Sequence, residues 1–312
     1  MITKLTFIHA LSPLHAGTGQ GIGVIDLPIA REKATNIPYL PGSSLKGAIR
    51  DCYTSRLFDK YFKELQDEKE AKKKAEQVAA RIFGEAASEQ AHAGSAVFSD
   101  QRLLLLPARS LRGVFAWTTS PYILQRFKRD VEAAGSGVSA LPDAPAVEGG
   151  GCLIASEGSL LADQSGDVYL EDFDLQGKQD PAVDNWARFI GERVFDDAKW
   201  REALKARLCV LSDNVFNFLL EHGTEITARI RLEEKTKTAA SGALWYEEAL
   251  PAETILSGLL VAVKGKAMPE EVFATVRDIV DRHKAIQLGG KATVGRGLCS
   301  IRLINDEKGA TP

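Results

Sequence analysis

An isolated carboxylate and a pair of cations stand close together near the start of the chain. Asp26 lies in an otherwise apolar run, VIDLP, where an aspartate either forms a turn or serves a function. Lys46 and Arg50 follow at a spacing of four residues, which places both on one face of a helix. A segment of this kind could hold a charged polymer with cations and backbone amides, and could present one carboxylate to it.

The residues before Lys46 predict the start of a helix. A Pro-Gly turn precedes Ser43 and Ser44, either of which is a favourable N-cap. The unpaired amides at such a helix start favour a phosphate, and an anion would relieve the unfavourable position of Lys46 against the helix dipole. On these residues alone, an ordinary solvated helix start with two surface cations is an equally good interpretation.

A second glycine cluster, LGGKATVGRG, lies near the C-terminus. Between Arg282 and Ile304 the chain has five Lys or Arg and no Asp or Glu. Glycines let the backbone approach a phosphodiester closely, and the neighbouring cations could hold it. The alternative is a tight turn that needs flexible glycine. The candidate anion-binding residues of this cluster are Gly289, Gly290, Lys291, Gly295, Arg296 and Gly297.

Nucleotide-binding motifs fail on spacing. The P-loop needs G-x-x-x-x-G-K-[ST], and after Gly47 the required lysine is replaced by Ala48. The dinucleotide fingerprint G-x-G-x-x-G fails in each of its three registers between Gly17 and Asp26, because the third glycine is absent every time. An ATPase or a dehydrogenase is therefore a poor interpretation.

Composition sets broad bounds. The chain has 312 residues, enough for one large or two small domains, and it is 45% hydrophobic, which allows a sizeable core. We expect no membrane association and no signal peptide, because no apolar run approaches the length of a transmembrane helix. The four cysteines are scattered without metal-ligand spacing, which favours reduced thiols and a cytoplasmic protein.

The distribution of charge is uneven although the net charge is only −3. Six Lys or Arg face three acids between Pro28 and Lys60, whereas seven acids accompany one lysine between Glu157 and Asp180. A chain of this kind can bind RNA on one face and a neighbour on another. The net charge itself argues mildly against nucleic-acid binding, because a free-standing RNA-binding domain is typically basic overall.

Periodic patterns predict a mixed chain. We expect strands at 3–11, 97–106, 226–232, 254–264 and 298–304, and helices at 44–65, from 120 to about 131, and at 269–284. The charged run 66–75 is expected to extend the first helix, and the stretch 133–151 is expected to be a flexible loop. Strands at both ends, joined by helices, favour an α+β core with long insertions.

Both ends of the chain resemble a known family. The stretch LHAGTGQGIGVIDLPIAREKATNIPYLPGSSLKGAIRD and the C-terminal GGKATVGRG are similar to the RAMP superfamily of CRISPR effector proteins. More closely, they resemble the subunit that forms the repeating backbone of the type III-B (Cmr) RNA-targeting complex, as does RLEEKTKTAASGALWYEEALPAE from Arg231 to Glu253. The middle of the chain, from about Ser120 to Leu220, has no matching motif.

The resemblance implies a fold and a domain plan. It implies one RAMP domain over 1–312, with an α+β, modified ferredoxin-like (RRM-like) palm, a helical insertion and a protruding β-hairpin thumb. We expect the palm core at about 1–50, 95–118, 223–232 and 252–305, helical insertions at about 51–94 and 119–222, and the thumb at about 231–251. The thumb should wedge into the guide–target duplex at regular intervals.

The resemblance also implies partners. The chain would bind a crRNA guide and single-stranded target RNA, within an assembly of copies of itself in a helical filament and other Cmr subunits. A non-catalytic RAMP scaffold that binds only the guide, and an unrelated phosphate-binding enzyme, are the alternatives. Besides the C-terminal cluster, the expected RNA contacts are Arg31, Lys33, Ser43, Ser44, Lys46, Arg50, Lys235 and Lys237.

Asp26 falls where the resembled subunit has its catalytic aspartate. RNA supplies its own nucleophile, the 2′-OH, so cleavage needs alignment, removal of a proton and relief of charge on the phosphorane. Asp26 could act as the base or hold Mg²⁺ or Mn²⁺, and the family implies metal-dependent cutting that leaves 2′,3′-cyclic phosphate and 5′-OH ends. His15 is a second candidate for proton transfer, although a histidine at a strand end is more often structural. Weaker catalytic candidates at the thumb base are Tyr246, Glu247 and Glu248, with either glutamate reaching the site from a neighbouring copy.

Overall fold

A computed structural model describes residues 1–18, 25–85, 92–135, 141–233 and 239–304. Its helices are α1 (Gly42–Leu65), α2 (Glu68–Phe83), α3 (Pro121–Ala134), α4 (Pro181–Val194), α5 (Ala198–Arg207), α6 (Asp213–His222) and α7 (Pro269–Arg282). Its strands are β1 (Ile2–Ala10), β2 (Tyr39–Leu40), β3 (Gly84–Glu85), β4 (His92–Ala93), β5 (Ala96–Phe98), β6 (Gln101–Arg109), β7 (Phe115–Thr119), β8 (Gly151–Ile154), β9 (Asp167–Leu170), β10 (Phe173–Gln179), β11 (Leu208–Leu211), β12 (Glu225–Leu232), β13 (Ala239–Ala249), β14 (Ile255–Ala262), β15 (Ile286–Gln287) and β16 (Leu298–Leu303).

One large mixed sheet organises these elements. Its order is β15-β16-β1-β14-β6-β7-β11-β8-β10-β9, with β2 added on β6 and β5 on β14. Helices α3 and α4 contact β1, and α7 contacts β16 and β14. The apolar side chains between these helices and the sheet form the core, in which Phe7 packs edge-on against Phe127 of α3. None of the helices in the described ranges is long and apolar enough to cross a membrane.

The first strand joins the two ends of the chain. β1 is antiparallel to β14, with His9 opposite Ile255, and antiparallel to β16, with Ala10 opposite Cys299. The residues that follow β1 therefore lie beside those that precede β14 and those that precede β16. This pairing brings residues 11–15, the base of the thumb and the C-terminal glycine cluster to one edge of the sheet.

The insertion between 119 and 222 differs from the expected helical one. Strands β8, β9, β10 and β11 lie within it and extend the main sheet, because β11 pairs in parallel with β7. The runs GCLI and LCVL that form β8 and β11 are short and largely buried, so they lack the polar alternation that marks a half-buried strand.

The thumb begins earlier than expected. β12 and β13 form a separate two-stranded antiparallel sheet, in which Ala228 lies opposite Tyr246. The segment 223–232, expected in the palm core, thus belongs mainly to the thumb, since β12 pairs with β13 and not with the palm sheet. The thumb is hereafter β12 and β13. Its connection, with Lys235 and Lys237, lies outside the described residues.

Helix α1 starts differently from the sequence expectation. The helix begins at Gly42, its N-cap is Pro41 without a side-chain hydrogen bond, and the Gly42 N–H donates to Asp100 Oδ1 at 2.9 Å. Neither Ser43 nor Ser44 is the cap, because a carboxylate from the β5–β6 turn already accepts from the first amide. The run 66–75 does not extend α1 either; Gln66 turns left-handed and Asp67 caps α2, whose buried alanines lie among charged residues.

The Asp100 contact predicts a stability difference. Asp100→Ala should lower the free energy of unfolding by about 1 kcal/mol, the usual value of a lost helix cap. Ser43→Ala should change it by less than half as much, since Ser43 is exposed and caps nothing. Urea denaturation followed by circular dichroism measures both. Equal losses in the two variants would contradict the assignment of Asp100 as the capping group.

Candidate functional site

Four segments meet where β1 ends. Leu14 exchanges two backbone hydrogen bonds with Leu250, just before β14. The Gly297 N–H donates to Pro13 O at 2.8 Å, and the Gly290 N–H donates to His15 O at 2.9 Å. The fourth segment, residues 25–31, joins them through β13. Residues 13–15 and the C-terminal glycine cluster are therefore in direct contact, although they are separated by most of the chain.

Asp26 is held against the base of the thumb. The Leu27 N–H donates to Tyr246 O at 3.1 Å and the Glu248 N–H donates to Leu27 O at 3.0 Å, so this segment pairs in parallel with β13. One carboxylate oxygen, Asp26 Oδ2, accepts from the Tyr246 N–H at 2.8 Å. The Asp26 side chain is otherwise exposed. The arrangement fixes one oxygen of the carboxylate and leaves the group open to a ligand, while the contacts of Tyr246 with this segment run through its backbone.

His15 lies behind this segment and is buried. Its Nδ1 lies 2.6 Å from Glu248 O, and because a carbonyl only accepts, Nδ1 is the donor of this hydrogen bond. A Cβ on Gly17 would fall 2.6 Å from Nε2, and a Cβ on Gly290 would fall 3.2 Å from Cδ2. A side chain at Gly17 would force the ring to move, whereas at Gly290 the ring would have to give by only a few tenths of an ångström. The burial favours the structural interpretation of His15 over proton transfer to RNA.

Glu248 is fully engaged within the protein. Its Oε1 accepts from Arg31 Nη2 at 2.6 Å and from Thr224 Oγ1 at 2.9 Å, and its Oε2 accepts from the Ile29 N–H at 3.0 Å. The side chain is 4% exposed. With both oxygens occupied and covered, Glu248 is not placed to act on RNA as a catalytic carboxylate of this copy or of a neighbour.

Glu247 forms a second buried cluster on the opposite side of β13. Its Oε1 accepts from Lys291 Nζ at 2.8 Å and from Trp245 Nε1 at 2.8 Å, and Arg229 Nε lies 3.4 Å from Oε2. Burial opposes ionisation of Glu247, but the hydrogen bonds and the two cations outweigh burial and hold its pKa down at about 2. Glu247 is therefore a permanent anion at neutral pH and cannot donate a proton as a general acid.

Several cations expected to contact RNA instead attach the thumb to the palm. Arg31 pairs with Glu248, and Lys291 pairs with Glu247. Arg296 is 7% exposed and donates to Thr227 Oγ1 at 3.0 Å in β12. The C-terminal glycine cluster therefore contributes to the attachment of the thumb, and the expected RNA contacts of Arg31, Lys291 and Arg296 stay a prediction.

Two glycines of that cluster are required by geometry. Gly289 has φ +72°, and a Cβ there would lie 2.4 Å from His15 O. Gly297 has φ +77°, and a Cβ there would lie 1.9 Å from Leu288 O. The interpretation as a tight turn is thus correct for these positions. Gly295, by contrast, faces open space at φ +79°.

The start of α1 retains its free cations. Within the described ranges, neither Lys46 nor Arg50 has an acidic partner within 4.0 Å, and Lys33 is exposed and similarly unpaired. Burial lowers the pKa of Lys46, and the charge of Arg50 lowers it further. An anion beside this pair would favour the charged form of Lys46 and so oppose both of these shifts in its pKa. Of the cations expected to contact RNA, these are the ones that the described structure leaves available.

The donor set for a metal ion is small. In the described part of the chain, no group of three or more His, Cys, Asp or Glu side chains could hold a metal ion. Asp26 offers one carboxylate with one oxygen already bonded. Mg²⁺ and Mn²⁺ accept such a site when water and substrate phosphates complete the shell, so the residues fit a cation shared with RNA and not a cage made by the protein alone.

Sequence reasoning missed Arg229, Thr224 and Asp100. The alternation of residues 226–232 places Arg229 on the face of β12 opposite the isoleucines, which was a usable signal. Its pairing with Glu247 depends on the register between β12 and β13, and no residue pattern fixes that register. Asp100 and Thr224 reach their partners across long sequence separations, and neither belongs to a motif.

The pattern of the RAMP superfamily matches residues 7–300, which is most of the chain. The chain belongs to the RAMP superfamily. The family resemblance and the α+β class expected from the sequence are both confirmed.

Curated relatives cover nearly the whole of this RAMP chain. It is 34% identical over 314 residues to a Pyrococcus furiosus protein named CRISPR system Cmr endoribonuclease Cmr4, an alignment that spans 97% of this chain and 96% of the relative. It is 26% identical over 327 residues to a Saccharolobus solfataricus protein named CRISPR system CMR subunit Cmr4, with 97% of each chain covered. The crystal structure of oligomeric Cmr4 from Pyrococcus furiosus is similar, with a TM-score of 0.70, 29% identity and coverage of 97% of this RAMP chain and 98% of the other.

The Glu247 cluster predicts a specific pH dependence. A carboxyl whose pKa is depressed in the folded state stabilises the fold above its unfolded pKa and loses that contribution as the pH falls. For Glu247 the window runs from 4.5 down to about 2. The free-energy difference between the wild-type chain and Glu247→Gln should therefore shrink across this window, as measured by urea unfolding at several pH values. The exposed carboxylate of Glu202 on α5 is the matched control, and a Glu202→Gln profile with the same slope would contradict the prediction.

Proposed function

We propose that this chain is the backbone subunit of a type III-B CRISPR (Cmr) effector complex, which binds crRNA guide and cleaves complementary target RNA at regular intervals. One observation carries the proposal: an exposed Asp26 carboxylate is fixed at the base of the thumb in a RAMP chain that is 34% identical over 97% of its length to a Cmr endoribonuclease.

The assembly follows from the same relationship. Copies of this chain stack into a helical filament together with other Cmr subunits, guide and target, and the 29% identical relative is itself described as oligomeric. The net charge of −3 and the small number of free cations fit an array in which each copy makes a few RNA contacts. The complex works in the cytoplasm, where the four unpaired cysteines would stay reduced.

The guide backbone is held at the start of α1. Lys46 and Arg50 lie on one face of the first turns, and the cluster offers positive charge without a competing carboxylate in the described residues. Most of the first amides are already engaged, since Gly42 donates to Asp100 and Ser44 donates to Pro41 O. Binding there rests more on the two cations than on helix amides, and it is sensitive to salt for that reason.

Target cleavage uses the nucleophile of the RNA. The 2′-oxygen forms a bond to the adjacent phosphorus while the bond from phosphorus to the 5′-oxygen breaks. The proton leaves the 2′-OH, and a proton reaches the departing 5′-oxygen. The products are a 2′,3′-cyclic phosphate and a 5′-OH. The protein must align the three atoms, remove the first proton and stabilise the charge on the phosphorane.

Asp26 is the group positioned for this work. With Oδ2 bonded to the Tyr246 N–H, Oδ1 is the oxygen that could accept the 2′-OH proton. Asp26 is also the residue that would hold Mg²⁺ or Mn²⁺, and the cation would supply relief of the negative charge on the phosphorane. His15 supports the site from behind, by bonding to Glu248 O through Nδ1.

A non-catalytic scaffold is the second candidate. It is favoured by the engagement of the groups around Asp26, because Glu247 and Glu248 are both buried in ion pairs and His15 is 6% exposed. In that case the chain would only bind and space the guide, and a different subunit would cut.

Asp26→Asn separates these two functions. The amide oxygen can still accept from the Tyr246 N–H, so the segment keeps its place while the charge is lost. In the assembled complex, cleavage of a complementary RNA should fall by at least roughly 100-fold with guide binding unchanged. Asp51→Asn, at an exposed position on α1, should cut at the wild-type rate. Regularly spaced products at an undiminished rate from Asp26→Asn would establish the scaffold instead.

Lys46→Gln tests the guide-binding surface. Loss of one phosphate contact should weaken guide binding for every sequence, and the slope of log affinity against log salt should decrease by about one. The free protein should not lose stability, because burial and Arg50 already disfavour the charged form of Lys46. Lys63→Gln, in the last turn of the same helix, is the control. Filter binding across a salt series measures both, and an equal effect at Lys63 would argue for a diffuse surface charge.

A further inference from the structure

Glu248 connects three elements of the site without facing the solvent. Its carboxylate accepts from Ile29 in the Asp26 segment, from Arg31 at the end of that segment, and from Thr224 at the entrance to β12. Its backbone adds two more contacts, since Glu248 N–H donates to Leu27 O and Glu248 O accepts from His15 Nδ1. One residue therefore bonds to three positions that follow Asp26, to the histidine ring and to the root of the thumb.

The position of Asp26 depends on these bonds. The segment 25–31 pairs with the edge of β13 only through a short parallel stretch around Leu27 and Glu247. Its connection to residues 16–18 on the other side includes the bonds from Ala30 N–H to Ala16 O and from Thr18 N–H to Pro28 O. The Glu248 carboxylate is the one side chain among the described residues that ties the backbone of this segment, at Ile29, to the thumb.

We propose that Glu248 is a positioning residue for RNA cleavage, which fixes the Asp26 segment and the thumb root in one geometry. This inference rests on the proposed function. Glu248 does not touch RNA. It acts through Ile29 and Leu27 on the placement of Asp26, and through its carbonyl on the orientation of His15.

The chemistry requires a carboxylate at this position. An N–H, a hydroxyl and a guanidinium converge on the two oxygens, and only an acceptor on both sides satisfies all three. A glutamine of the same shape would direct its NH₂ group at one of these donors and leave Arg31 as an uncompensated, largely buried charge. The side chain would keep its volume while the segment shifted, so the effect on reaction geometry can be separated from a packing defect.

The test compares Glu248→Gln with Asp184→Asn. Asp184 on α4 has the same kinds of partner, namely the Ser156 N–H at 2.8 Å, Ser156 Oγ at 2.6 Å and Lys205 Nζ at 3.3 Å. It lies in the insertion, away from β13. Each variant is assembled with guide and its sibling subunits, and cleavage is measured at saturating complementary RNA together with guide and target affinity.

Glu248→Gln should cut roughly 10- to 100-fold more slowly at saturating target, since a displacement of about 1 Å can cost that much, while guide and target affinities stay within about twofold. Amide hydrogen exchange of residues 25–31 should accelerate in the same variant. Asp184→Asn should leave both readouts unchanged. Thr224→Val removes one partner without changing the carboxylate, and should slow cutting by a smaller factor. It serves as the test variant if Glu248→Gln fails to assemble.

The outcomes separate this inference from the proposed function. If Asp26→Asn abolishes cutting while Glu248→Gln and Thr224→Val cut at the wild-type rate, the positioning role is wrong and the nuclease assignment stands. If Asp26→Asn still cuts, the proposed function fails first. A loss of guide binding equal to the loss of cutting in Glu248→Gln would make Glu248 a general structural residue and would overturn the inference.

Discussion

The parallel pairing of Leu27 with Glu247 is the contact on which the site depends. It attaches the segment that carries Asp26 to a thumb that lies outside the main sheet. Strands alternate their side chains between two faces, so the adjacent glutamates of β13 point in opposite directions from this contact. Glu247 meets Lys291 and Arg229 on one side, and Glu248 meets Arg31 on the other. Two consecutive carboxylates thus hold the thumb between residues 25–31 and the C-terminal glycine cluster.

Because both glutamates are buried, each of them must keep its cationic partners. Both glutamates are 3% exposed, and a buried charge without its partner typically destabilises a protein by about 3–5 kcal/mol. The pairs therefore contribute less to net stability than to the choice of one geometry, because any shift of the thumb separates several charges at once. The sheet supplies the fixed reference, since β1 pairs with both β14 and β16. Packing of the sheet determines which segments are neighbours, and the ion pairs determine the geometry of their contact.

The sequence indicated the elements better than their pairings. Strong patterns, such as the alternation after Glu225 and the periodicity after Pro269, predicted β12 and α7 to within a few residues. The family motifs located the glycine clusters and Asp26. The partners of Lys291, Arg31 and Arg296 were not predictable, because each pairs across the fold, and a glycine cluster with cations has the same composition whether it faces RNA or a buried glutamate. Strands β8 and β11 of the insertion were missed because a short buried strand has no polar alternation, whereas β9 and β10 do alternate and were missed although that signal was present.

Several cations are paired inside the protein, so few of those expected to contact RNA remain available to bind it. Lys291, Arg31 and Arg296 are tied to the thumb, which leaves Lys33, Lys46 and Arg50 as the unpaired cations among the expected contacts in the described structure. Each phosphate contact adds a modest, salt-sensitive increment, so one copy with a net charge of −3 should bind RNA weakly. Repetition along a filament multiplies those few contacts over one continuous guide, because every later contact forms at high effective concentration. Asp26 is fixed at the base of the thumb in each copy, and under its proposed role the spacing of cuts along the target would follow from the spacing of copies.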